Sequence, residues 1–304
     1  MAYRLQAGEP VTDGVKRVIL GEIDEAAGML AVDAADRDEG IHDARKAFKK
    51  IRAALRLARP VLGAAYATEN AWFRDTARRL SDLRDAQALI ESFDKLQQTF
   101  AEEMQGEAFG EIRAALDRRR QSMAEHDEEL AGTAQAVRSD LEEVRRRIQS
   151  WNLPRKEFPA IGRGLRETYR RGRRARAGAY RTQSDEAFHE WRKGVKYHWY
   201  QVRLLQDLWP EVLKSYRTAL KDLAEILGDE HDLVVMKQTV AGFDPELRES
   251  EDFGAFVTLV DRRQQQLRTA ARSLGDRIYA EKPKSLQRRF QAYWRTWREE
   301  PASA

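Results

Sequence analysis

The sequence predicts an all-α protein of two four-helix bundles, on three observations. Proline is scarce, at 8 of 304 residues, and apolar residues recur over long stretches at the three- and four-residue spacing of helix faces. No segment shows the alternation of a half-buried strand. A single gapless offset of 147 residues relates the first half of the chain to the second.

The periodicity and its breakers place helices near 11–32, 40–60, 67–104 and 108–149 in the first half. The turn WNLPRKEFP, with Pro154 and Pro159, then separates the halves. In the second half helices are expected near 160–180, 185–209, 212–240, 251–280 and 284–299, with Gly228 a candidate break. Asp185 is a candidate N-cap, and Pro210 and Pro283 mark helix limits. The two repeats therefore span 10–150 and 155–299.

The repeat is clearest where charge is densest. IHDARKAFKKIRAALRLARP at 41–60 aligns with FHEWRKGVKYHWYQVRLLQD at 188–207. His42 meets His189, Arg45 meets Arg192, Lys46 meets Lys193, Lys49 meets Lys196 and Arg56 meets Arg203. The register continues, pairing Leu80 with Leu227 and Asp85 with Asp232.

Net charge is only +4, but segments 42–59, 163–181 and 189–203 carry +6, +7 and +3, so the rest of the chain is acidic. Like charge held together on one helix costs repulsion and points to an anionic partner. Cysteine is absent, which excludes disulfides and thiolate chemistry. No apolar run is long enough for a membrane span and no signal-peptide core opens the chain, so no membrane association and a cytoplasmic setting are expected.

At about 100° per residue, Ile41, Ala44, Phe48, Ile51, Leu55 and Ala58 form a core arc. His42, Arg45, Lys46, Lys49, Arg52 and Arg56 lie opposite. In the second copy Phe188, Trp191, Val195, Val202 and Leu205 face the core. His189, Arg192, Lys193, Lys196 and Arg203 form the basic face, with Tyr200 among them. A third stripe of Arg163, Arg166, Arg170, Arg173, Arg174 and Arg181 opposes Ile161, Leu165 and Tyr169. Its counterpart near Lys16 is nearly bare, so the second half is expected to supply more of the binding charge. Cations spaced along a track suit a flexible chain of phosphates, guanidinium giving bidentate donors and ammonium a mobile point charge. On charge alone, DNA or RNA would serve equally.

The doubled basic motif, His42-Asp43-Ala44-Arg45-Lys46 with Leu80 to Asp85 and His189-Glu190-Trp191-Arg192-Lys193 with Leu227 to Asp232, resembles the CHAD family, the conserved-histidine α-helical domains. The resemblance runs over roughly 10–299, so 1–304 is expected to be a single such domain. It implies two bundles related by pseudo-twofold symmetry about a basic pore or groove, binding of inorganic polyphosphate, and association with polyphosphate granules. It also implies that His42, Arg45, Lys46, Lys49, His189, Arg192, Lys193 and Lys196 line that pore.

A nucleic-acid-binding helical module is the second reading, but only Tyr200, with Tyr197 and Trp199 at the margin, offers aromatic platforms among the cations. An enzyme is the third. It would need the Gly-rich phosphate loop or clustered carboxylates that the sequence lacks. Asp85 and Asp232 are single carboxylates, expected to orient an Arg or His rather than to catalyse. No metal site is expected at His42 or His189, because the Arg and Lys beside them repel a cation. No cofactor is expected. His198 aligns with the core position Ile51 and should be packed inside.

Overall fold

The computed structural model describes residues 3–299 except 33–35, 81, 125–126, 155 and 244–250. Among these it contains eleven α-helices and no strand. They are α1 (Val11–Met29), α2 (Arg37–Leu62), α3 (Ala64–Arg79), α4 (Asp82–Thr99), α5 (Glu107–Ala124) and α6 (Asp127–Gln149). There follow α7 (Pro159–Thr182), α8 (Asp185–Leu204), α9 (Pro210–Ala241), α10 (Glu251–Ile278) and α11 (Pro283–Glu299). No helix is long and apolar enough to cross a membrane among the described residues.

Most boundaries agree with the periodicity, and the differences have local causes. The helix expected over 67–104 is two, α3 closing on Leu80 with φ −100° and ψ 19°. That expected over 108–149 is also two, α5 and α6. The helix expected over 185–209 stops at Leu204, and a 3-10 turn over Gln206–Leu208 follows. Trp209 is extended (φ −167°, ψ 85°), the conformation that a following proline favours. Gly228 does not break α9, which runs unbroken through it. The cap of α8 is Ser184, not Asp185: the Ser184 hydroxyl accepts the Ala187 N–H at 3.3 Å. The Asp185 carboxylate instead accepts from Arg268 on α10.

The helices enclose two cores. The larger draws on α1, α2, α3, α6, α7, α8, α11 and the ends of α9 and α10 nearest them. The smaller lies between α4, α5 and the other ends of α9 and α10. Every residue of the expected core arcs on α2, α7 and α8 is buried, and His198 is fully so. Phe48 has no exposed surface and meets the rings of Trp72 and Phe73 at 6.3 and 5.5 Å. Phe48→Ala is expected to cost about 3–5 kcal/mol, read as a lower denaturant midpoint.

Helix α2 lies against α1, α7 and α8. Its approach to α7 is backbone to backbone: a Cβ on Gly164 would sit 2.0 Å from the Leu57 carbonyl oxygen. Only glycine allows helices so near. Between α7 and α8, Gly172 faces Gly194 in the same way.

Candidate polyanion-binding site

The packing of α2 and α3 across from α7 and α8 leaves a cleft of about 550 Å³. Helix α2 lines it with Arg45, Lys49, Arg52 and Arg56, one to two turns apart along a single face. Helix α3 adds Arg74 and Arg78, α7 adds Arg171, and α8 adds His189, Lys193 and Tyr197. Phe48, Ala77, Thr168 and Gly194 form apolar and small parts of the wall. Eight Lys and Arg side chains thus meet one carboxylate, Glu190, and that one is held by Lys193 at 2.6 Å. The cleft continues past Arg56, Thr168 and Arg171 into a groove of about 360 Å³, where Arg59, Arg163 and Arg166 extend the basic surface.

Individual side chains are held in place. The Arg56 guanidinium carbon lies 4.2 Å from the centre of the Tyr197 ring, and that of Arg52 at 5.7 Å. Arg52 Nε donates to Asn70 Oδ1 at 3.3 Å. Arg59 lies 4.9 Å over the Tyr66 ring. At the rim, Arg74 donates two hydrogen bonds to Asp75, at 2.7 and 2.8 Å.

The structure therefore brings together Arg45, Lys49, Arg52, Arg56, His189 and Lys193 in the cleft, and Arg163 and Arg166 in the groove. It separates the rest. Tyr200 is a correction: it is 5% exposed and packs edge-on to Tyr3 in the core, so it offers no platform. Tyr197, not Tyr200, lines the cleft. Arg192 and Lys196 turn to α9. Arg192 lies over Gly228, and Asp232 is a charged neighbour of both. Burial first, and Arg192 next, push the Lys196 ammonium down to about 8. Arg203 lines a separate pocket with Lys50 and Glu22. Lys46 is paired with Asp43 at 2.8 Å and Arg170 with Glu167 at 2.5 Å, both at the surface. His42, Arg173 and Arg174 do not line the cleft. Asp232 is half-buried with Arg192 as a charged neighbour; the Asp85 side chain lies outside the described residues.

The expectation that the second half supplies more charge is also corrected, since six of the eight cleft cations come from α2 and α3. Sequence reasoning missed Arg74, Arg78 and Arg171. The first two were legible as an i,i+4 basic pair on α3. Arg171 is one position off the stripe chosen on α7, and only the seating of that helix on α2 selects it.

The packed helices thus enclose a cleft lined by cations and almost free of carboxylates. A family model described as the CHAD domain matches residues 24–241. The chain belongs to the CHAD family. Among curated proteins none matches it.

Titration offers a test at His189. Its ring stands 4.1 Å from that of His231, and burial, then Lys193 and Arg192, holds its pKa below the ordinary 6.5. Only Glu190 opposes. A bound polyanion favours the imidazolium and raises that pKa, so binding takes up a proton. Affinity for polyphosphate should therefore rise as pH falls below 6.5. Titrations across this range should show a flatter dependence in His189→Gln than in the wild type.

Proposed function

We propose that this protein binds inorganic polyphosphate without cleaving it, in the cleft between α2, α3, α7 and α8. The observation that carries the reading is the ratio of eight cations to one carboxylate in a space continuous with a second basic groove. Such a track matches a linear chain with a charge on every phosphate, and release of its counterions supplies much of the binding free energy. The CHAD resemblance points to the same ligand. Among the described residues that line the cleft, Glu190 is the single carboxylate and is bound to Lys193; proton transfer or a metal would call for a second. The two halves act as related copies about a basic groove, and the protein would work in the cytoplasm at polyphosphate granules.

Nucleic acid fits less well. Base stacking needs an open aromatic face; of the aromatic residues lining the cleft, Phe48 is fully buried and Tyr197 already carries Arg56 at 4.2 Å. The test is titration with polyphosphate of defined length against single-stranded RNA and duplex DNA, at matched charge and salt. Polyphosphate should bind much the tighter and keep its length on incubation with magnesium. RNA binding as tight would overturn the ligand assignment, and shortening of the chain would make the protein an enzyme.

A further inference from the structure

The cleft has a position-equivalent face. Its residues Tyr197 and Arg56, and Arg59 of the groove, correspond at an offset of 147 to Lys50, Arg203 and Gln206. Those three line one pocket of about 350 Å³, with Tyr3, Arg4, Glu22 and Glu25. Lys49 of the cleft corresponds to Lys196, whose charged neighbours include Arg192, Glu225 and Lys46. These stand where the cleft has Arg45, Arg78 and Lys193. Helices α1 and α9 thus flank this face as α7 and α3 flank the cleft.

The charge differs sharply. Asp24 takes the place of Arg171, Glu225 that of Arg78, and Trp199 that of Arg52. The positions that hold eight cations and one carboxylate in the cleft hold six and three here, and the pocket adds Arg4, Glu22 and Glu25, making seven and five. The cations are also engaged. Lys50 is 2.8 Å from Glu22 and 3.7 Å from Glu25. The Tyr3 ring lies 5.8 Å from both Lys50 and Arg203.

We propose that the protein has a single polyanion site, the equivalent face being closed to phosphate by acids of α1 and α9: Glu22, Glu25 and Glu225. This rests on the polyphosphate reading of the cleft. Phosphate approaching the second face would have to displace carboxylates from the cations it needs, and meet their repulsion. The duplication thus survives as a fold while one of its two binding surfaces has become structural.

Calorimetric titration with tripolyphosphate, too short to bridge both faces, tests this. The wild type should bind one tripolyphosphate per chain. Glu22→Gln combined with Glu25→Gln and Glu225→Gln should open a second site, leaving the first within about twofold in affinity, as separated sites do. Two comparable sites in the wild type would overturn the proposal, as would a folded triple variant with only one. Should that variant not fold, the reverse exchange decides: Arg78→Glu with Arg171→Asp places the acids in the cleft. It should abolish binding, and one tripolyphosphate still bound at wild-type affinity would overturn the proposal. A wild type that binds no tripolyphosphate overturns the polyphosphate reading, and this inference with it.

Discussion

Replacing Arg45 and Lys49 together by alanine is expected to weaken polyphosphate binding by at least about a hundredfold. Each charge-assisted contact contributes about 1.5–3 kcal/mol, and both side chains line the cleft. The slope of log K against log salt should fall by about two units, one for each cation lost. Stability should hold or rise, because neither residue belongs to the core arc and like-charge repulsion along α2 is relieved. The matched pair in the second copy, Arg192→Ala with Lys196→Ala, should leave affinity within about threefold, since it faces α9 and not the cleft. Salt-dependent titrations of both variants measure this directly. Equal losses from the two would mean that one ligand reaches both basic faces.

Gly164→Ala is expected to be the most damaging small substitution, costing about 3 kcal/mol or more. The added methyl would stand 2.0 Å from the Leu57 oxygen and 2.8 Å from that of Arg56. Both are backbone atoms of α2, so no side chain can swing aside. The helices must separate, and Arg56 and Arg171 would move apart with them. Denaturant melts should show the loss of stability, and the surviving folded protein should bind polyphosphate more weakly. Gly178→Ala, on the same helix with nothing within 4 Å, is the control expected to be neutral or stabilising.

How much of this was readable beforehand differs from helix to helix. On α2 every residue of the predicted apolar arc is buried, and four cations of the opposite arc line the cleft, but Ala53 and Leu57, outside the apolar arc, are buried as well. The basic side of α8 is wider than the cleft can use, and a tertiary contact decides which edge faces it. Trp191 seats against Gly275, where a Cβ would come within 2.6 Å of the indole, and Gly194 rests on Gly172. Those fits turn His189, Lys193 and Tyr197 to the cleft and Arg192 and Lys196 to α9. Close approaches of this kind depend on glycines in helices distant in sequence, which helical periodicity does not register. The same limit hid Arg171 behind Arg170, one position and about 100° away. Tyr200 failed for a different reason: Tyr3, from the segment ahead of α1, covers it.

The arginines that rest on aromatic rings carry a consequence for how fast and how cheaply a ligand can be held. An unrestrained arginine surrenders about 2 kcal/mol of rotamer freedom when it is fixed. Arg56 on Tyr197 and Arg59 on Tyr66 have surrendered part of it during folding. Their guanidinium planes are oriented before any phosphate arrives, so less ordering remains to oppose association. Lysines on flexible stems could hold as much charge there, but each would have to be immobilised anew for every segment of a sliding chain.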